Sequence, residues 1–340
     1  MTGNEKVKAV IAGEELTSVP RGEFSLNSSL CERIAKTKGS TEDNLRKAVD
    51  KLGFDFYGLV PQYPAKRFIK YDEKGRKESQ DYWGRTFWTT PGVNEQLISY
   101  PIEHKEQLKS YKFPKVNELS YYPDIKILRE KNLYVFGVVD GVFQASARTM
   151  DLLDFLDLLE DEPGCLKNIF SQAVQFNYAA AKSLVDLGVD AVMVADDISH
   201  YQGLFCSNQA FFKWVAPCQE TLFNKISQLG KPIFFHSDGN IMPIMEWLGS
   251  TKVIGIHSLE PVPAMNLMHL KQQFGKRFVF MGGIGLTELD NNSVEGIKTL
   301  VSQRVELMNQ GGRYLLSTAS GFLDKEIDVN SIQAMYLFDK

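Results

Sequence analysis

Short apolar runs alternate along this chain with longer stretches of helical period. Asp190-Ala-Val-Met-Val-Ala-Asp-Asp197, Pro232-Ile-Phe-Phe-His-Ser-Asp238, Val253-Ile-Gly-Ile-His-Ser258 and Arg277-Phe-Val-Phe-Met-Gly-Gly283 are each apolar for four or five residues and then turn polar. Runs of this kind read as strands buried on both faces, and hence as parallel strands. Between them lie helical patterns. Ser207 is placed to cap a helix from Asn208 to Leu229, with a bend expected at Pro217, and Ser293 to cap one ending at Met308. Gly230 and Gly311 then act as stops. Tyr314–Ser317, Leu133–Asp140, Phe54–Val60 and, more weakly, Val19–Phe24 share the strand profile, which brings the tally to eight. Eight right-handed βα units predict an α/β fold, a (β/α)8 TIM barrel occupying residues 1–340 as a single domain, with an open doubly wound sheet as the alternative. Residues 61–131 lack a clear period and predict a lid or small subdomain inserted between the second and third strands.

Composition narrows the function classes. The 340 residues are 44% hydrophobic and 24% charged, which excludes a disordered or fibrous chain. A formal charge of −4 supplies no electrostatic reason to bind nucleic acid or an anionic membrane. Cys31, Cys165, Cys206 and Cys218 form no C-x-x-C pair, so neither a zinc knuckle nor a small disulfide scaffold is signalled. With no apolar run near the roughly 20 residues of a membrane span, and a charged start, the expectation is a cytoplasmic protein with reduced thiols.

In a parallel barrel the chemistry gathers where the strands end at their carboxyl termini. Those ends bring together Glu23, Tyr63, Asp140, Asp196, Asp197, His200, Tyr201, His236, Asp238, His257, Glu260 and Ser317, and so include three of the five histidines. On an extended backbone His236 and Asp238 face the same side, placing an imidazole and a carboxylate on one ligand, metal ion or proton. Gly239 permits a tight turn beside them. Plainer roles compete: a strand-end histidine also serves to bond a neighbouring carbonyl, and Asp196 or Asp197 to cap the next helix. Gly282-Gly283 lacks phosphate-loop spacing and reads as a close approach of two chains, Trp83 reads as core of the excursion, and His104 and His269 read as solvated.

The segments AVMVADDISHYQG, IFFHSDGNI, FVFMGGIG and GGRYLLSTASG…IDVNSIQAMY, with DYWGRTF and ISYPIEHKEQLKSYKFP in the excursion, resemble the uroporphyrinogen decarboxylase superfamily from about Leu45 onward. The resemblance implies a TIM barrel. It implies one of two activities: cofactor-free porphyrinogen decarboxylation, or methyl transfer to a cobalamin-carrying protein. The decarboxylase pattern calls for an arginine-rich N-terminal segment and an aspartate after the second strand, where this chain reads Arg21-Gly-Glu-Phe-Ser and Val60-Pro-Gln-Tyr-Pro64. An acidic rim with Arg21 as its evident guanidinium would repel a substrate bearing eight carboxylates. The zinc-binding H-x-C pair of the thiol-alkylating members is here His236 with Asp238, and no cysteine lies in 314–321, so the thiolate ligands of that zinc site are absent. A harder site on His236 and Asp238 stays open, because imidazole and carboxylate also bind zinc.

The resulting expectation is a methyltransferase component that demethylates a small methylated donor, such as a methoxylated aromatic, and passes the methyl group to a corrinoid (cobalamin) on a partner protein. His236, Asp238 and Glu260 are expected to be catalytic. Glu23, Asp140, Asp197, His200, Tyr201, His257 and Ser317 are expected to line the substrate cavity, and His236 with Asp238 to be the metal position. Uroporphyrinogen decarboxylation and a non-catalytic small-molecule-binding barrel are the alternatives.

Overall fold

The computed structural model describes residues 1–90 and 95–339; residues 91–94 of the predicted excursion and residue 340 of the predicted single domain lie outside the described residues. Eight parallel strands follow one another around the barrel. They are β1 (Gly22–Glu23), β2 (Phe56–Gln62), β3 (Tyr134–Asp140), β4 (Ala191–Ala195), β5 (Ile233–His236), β6 (Val253–Ser258), β7 (Val279–Gly282) and β8 (Tyr314–Leu315). All eight fall on the runs expected from sequence. The ring closes between the last strand and the first, where Gly22 N donates to Leu316 O at 3.0 Å and Leu316 N donates to Pro20 O at 2.8 Å. The closed barrel is therefore the architecture, and the open sheet is excluded.

Strand parity decides which side chains reach the interior. Residues paired across parallel strands project to the same side, so the pairs Met193↔Phe234 and Phe234↔Gly255 define an inward level with Phe136 close by. A Cβ on Gly255 would lie 2.1 Å from the Phe234 ring, so the packed interior leaves room only for glycine there. Phe24, Phe56 and Phe234 each meet Phe136 edge to face in the barrel interior, with centroid separations of 5.0 to 5.7 Å. Below them, Val7 and Val10 of the N-terminal helix Gly3–Ala12 plug the opening at the amino ends of the strands. Two residues above the Phe234 level, the pairings Asp140↔Ala195, Ala195↔His236 and His236↔His257 set one acid and two imidazoles side by side across four strands.

The same parity turns some expected rim residues away. Glu23 pairs with Tyr57, a residue of the outer layer, and lies fully buried between β1 and the C-terminal helix Val329–Tyr336. Arg21 is likewise outside and at the amino end, paired with Asp339, so it is not the rim guanidinium the sequence suggested. Asp196 accepts from Phe143 N at 3.3 Å and Gln144 N at 2.7 Å in the first turn of helix Val142–Ala147, so it serves the helix after the neighbouring strand β3 and not the next helix expected from sequence.

The described residues of 61–131 include a four-stranded antiparallel meander (Arg67–Tyr71, Lys77–Gln80, Thr86–Thr89, Gln96–Ser99) and a returning strand, Ser120–Tyr122, that pairs with the end of β2. Trp83 is core, packed among Tyr82, Phe113 and Phe176. Ser207 and Ser293 cap their helices as expected. The bend anticipated at Pro217 takes the form of a π-helical turn, Phe211–Val215, which absorbs the hydrogen bond that Pro217 cannot donate.

Glu23 generates a pH prediction. Burial, against the opposing hydrogen bonds from Tyr336 and Thr318, raises its carboxyl from 4.5 to about 7, and its Oε2 has no partner. The folded state thus holds this proton more tightly than the unfolded chain. Its favourable contribution is complete below about pH 4.5 and is lost as pH rises to about 7. Urea titrations should find Glu23→Gln as stable as the parent near pH 4.5 and more stable at pH 8, by up to about 3 kcal/mol; identical pH profiles for the two proteins would contradict the assignment.

Candidate active site

Two buried histidines meet at the carboxyl mouth of the barrel, with His236 Nδ1 and His257 Nδ1 2.7 Å apart. Their protonation follows from what lies on either side. His257 Nε2 is 3.1 Å from the carbonyl oxygen of Thr318, which only accepts, so that nitrogen carries a hydrogen. Burial, reinforced by the neighbouring His236, pushes His257 well below the usual histidine range and keeps it neutral. Its Nδ1 is therefore a lone pair, and His236 must donate to it from Nδ1–H. This leaves His236 Nε2 turned toward two carboxylates, 3.3 Å from Asp197 Oδ1 and 3.9 Å from Asp238 Oδ1.

The acids are held by backbone. Asp238 N donates to Asp197 Oδ1 at 3.3 Å, and Gly239 N donates to Glu260 Oε2 at 2.7 Å, so Glu260 orients the loop carrying Asp238. Gly239 adopts φ +78°, and a Cβ there would come within 2.7 Å of the His200 backbone, which explains the glycine. Burial tends to lower His236, but the hydrogen bond and charge of Asp197, then Asp238 and Glu260, prevail and raise it. Asp197 moves the opposite way. Burial would raise it, yet its pairing with His236 holds it below the usual carboxylate range. Asp238 is raised by burial, which outweighs His236.

One wall was hidden from sequence reasoning. Arg148, from the turn after helix Val142–Ala147, donates to Asp140 Oδ1 at 2.8 Å, while Tyr63 Oη donates to Asp140 Oδ2 at 3.3 Å. The Arg148 guanidinium lies 5.9 and 5.8 Å from the Tyr63 and Trp83 ring centres. Nothing in the Gln144-Ala-Ser-Ala-Arg148 segment marks it as functional; the signal is positional, since it follows the strand that ends in Asp140.

His236, Asp238 and Glu260 thus converge, and Asp197 joins them from β4. Asp140 stands on the same rim against Arg148. His257 sits behind His236, fully buried with both nitrogens engaged, so it orients its neighbour where sequence placed it in the cavity lining. Ser317 is also fully buried and donates to Thr318 O at 3.1 Å. Glu23 faces the outer layer, for the parity reason given above. His200 and Tyr201 occupy a hairpin, Ser199–Leu204, that touches the His236 loop through the His200 carbonyl, which accepts from Asn240 N at 2.9 Å. The His200 ring lies against Phe205 and Tyr201, and Tyr201 is exposed. Gly282 confirms the close approach read for the glycine pair, since a Cβ would fall 2.0 Å from Ser258 O. His104 and His269 are exposed.

Asp197, His236 and Asp238 each offer one ligand atom, all within 4.8 Å of one another. One imidazole nitrogen and two carboxylate oxygens suit zinc or a harder dication. No cysteine belongs to this set among the described residues.

A closed parallel barrel with an imidazole and several carboxylates at its carboxyl mouth defines a small-molecule enzyme scaffold. The family model described as "Uroporphyrinogen decarboxylase (URO-D)" matches residues 83–337, three quarters of the sequence, and the chain belongs to that family. Among solved structures it is similar to a methyltransferase from Methanosarcina mazei, with TM-score 0.69, 15% identity, and coverage of 99% of this chain and 98% of that one. A B12-independent methionine synthase from Shewanella sp. W3-18-1 in complex with selenomethionine matches at TM-score 0.49 and 12% identity, over 95% of this chain and 98% of that one. At these identities the likeness is one of fold. No curated protein matches the sequence. No helix among the described residues is long and apolar enough to cross a membrane.

The histidine pair is testable apart from any reaction. His257→Leu strips the acceptor from His236 Nδ1–H and the donor from the Thr318 carbonyl, and should cost about 1–3 kcal/mol in urea unfolding. His257→Gln, which offers an acceptor and a donor, should recover part of that loss; a leucine variant as stable as the parent would show that the pair does not organise the site.

Proposed function

We propose that this protein removes a methyl group from a small methylated donor, with a methoxylated aromatic as the model case, and transfers it to a reduced corrinoid carried by a separate protein. The observation that carries the reading is the fixed orientation of His236 Nε2 between Asp197 and Asp238 at the mouth of the barrel. In such a transfer the methyl–oxygen bond breaks, the methyl carbon joins the reduced corrinoid, and the donor oxygen leaves with the bonding pair. That oxygen needs a proton or a positive charge as it departs. His236, its Nδ1–H committed to His257, presents Nε2 for this purpose, and Asp197 holds the proton there until the oxygen arrives. A dication held by His236 Nε2, Asp197 and Asp238 would replace that proton and supply Lewis acidity to the same oxygen. Glu260 keeps the Asp238-Gly239 turn in register, and the half-buried Tyr63 ring beside Arg148 offers an aromatic face to a flat donor.

Charge argues for a donor with few carboxylates. Asp140 is neutralised by Arg148, which leaves Asp197, Asp238 and Glu260 against His236. A porphyrinogen with eight carboxylates would meet one guanidinium and several acids in a partly dry mouth. Membership of the decarboxylase family is thus compatible with a different substrate.

Supplied with reduced corrinoid protein, the enzyme should demethylate 2-methoxyphenol and prefer it over 3-methoxybenzoate by about tenfold or more in kcat/KM, since an added anion costs at least about 1.4 kcal/mol here. Failure to demethylate any methoxyarene, methylamine or methyl thioether, or production of coproporphyrinogen from uroporphyrinogen, would refute the reading. His236→Ala and Asp197→Asn should each slow transfer by roughly 100-fold or more. Metal analysis of the purified protein separates the two roles of Nε2: about one equivalent of dication that is lost in His236→Ala assigns the departing oxygen to a Lewis acid, and protein free of dication assigns it to the Nε2 proton.

A further inference from the structure

Away from the mouth, the helices Lys167–Leu187 and Ala216–Ser227 leave a groove of about 590 Å3 on the outside of the barrel. One wall is the helical face Lys167, Phe170, Ser171, Val174, Gln175, with the spacing expected of a single stripe. The other runs from Trp214 through Pro217 and Cys218 to Lys225. Phe170 and Val174 are buried at its base, and Cys218 is half-buried beside them.

The charged residues around this apolar floor are of one sign. Lys167, Lys213 and Lys225 line the groove, and no carboxylate does. None of the three belongs to any ion pair of the described residues. Their ammoniums lie instead over rings, those of Lys167 and Lys213 at 5.6 and 5.5 Å from Trp214 and that of Lys225 at 5.2 Å from Tyr178. Such clustering runs against a chain whose net charge is −4. Lys213 and Trp214 belong to the π-helical turn that precedes Pro217.

We propose that this groove is a second binding site, distinct from the barrel mouth, for an amphipathic monoanion: an alkyl or aryl carboxylate whose hydrocarbon part lies on Phe170, Val174, Trp214 and Pro217 while its carboxylate is held by Lys167 and Lys213, the two lysines gathered at Trp214. The volume falls in the range of ordinary small-molecule sites. Apolar contact supplies affinity, and the Lys167 and Lys213 ammoniums at Trp214 choose the anion over a neutral molecule of the same shape. The proposal is independent of the methyl-transfer reading, because no residue of the groove belongs to the mouth.

Isothermal titration of the full-length protein with octanoate and with octanamide tests it. Octanoate should bind saturably at one site, about tenfold more tightly than octanamide, the scale expected when several exposed charges act together. The double variant Lys167→Gln, Lys213→Gln should bring octanoate down to the level of octanamide. Cys218→Trp, which fills the groove, should remove binding of both, with circular dichroism confirming that each variant is folded. No octanoate binding at millimolar concentration would overturn the proposal. So would equal affinity for the two probes, or binding indifferent to the lysines and to the filled groove.

Discussion

Everything at the mouth of this barrel depends on the hydrogen bond between the δ nitrogens of His236 and His257. An imidazole with a free choice of tautomer offers its ε nitrogen as donor or acceptor by chance. Here the choice is removed two steps away, by a carbonyl that can only accept: Thr318 fixes His257, and His257 fixes His236. Burial contributes as much as geometry. Because His257 has no access to solvent and a second imidazole beside it, charging it is disfavoured, and it remains the acceptor its neighbour requires. The orientation of the reactive nitrogen is thus inherited from β6 and from the segment after β8, not from the strand that carries it.

That inheritance explains why adjacent acids of one sequence run have opposite fates. Asp196 and Asp197 differ by one residue, and on a strand one residue is a change of side. Asp196 turns outward into the first turn of a helix, where it accepts two backbone N–H groups. Burial against the opposition of those bonds raises it to about 8. Asp197 turns inward to His236. The same rule sends Glu23 outward to Tyr336 and keeps Asp140 inward beside Arg148.

The sequence made the eight strands legible, because buried parallel strands read as continuous apolar runs and the helices between them carry recognisable caps. It also brought His236, Asp238 and Glu260 to one place, since carboxyl strand ends converge whatever the loops do. It could not assign sides at the irregular ends of short strands, where one residue of register error reverses a side chain, so Glu23 is expected inside; His257 does point inward, but its cover by His236 and the Thr318 carbonyl depends on contacts between strands that no local pattern encodes. Arg148 escaped notice because it belongs to a turn after a short helix, and its link to Asp140 arises from folding the chain back over eight residues. Asp197 was seen, but its place beside His236 depends on the pairing of β4 with β5, which no local pattern encodes.

The charge balance of the mouth bears on how a decarboxylase scaffold can host different chemistry. A barrel closes its interior with side chains that touch only one another, so the aromatic packing beneath the mouth places no demand on the substrate. What the substrate meets is the last inward residue of each strand and the loop beyond it. Here those positions supply acids gathered around one imidazole, with a single guanidinium already occupied by Asp140. Such a surface favours a proton or a cation at its centre and disfavours clustered carboxylates in the same space. The constraint that would exclude a polycarboxylate is therefore the one that holds charge at His236 Nε2, and relaxing it by replacing the acids would also remove the groups that position the imidazole.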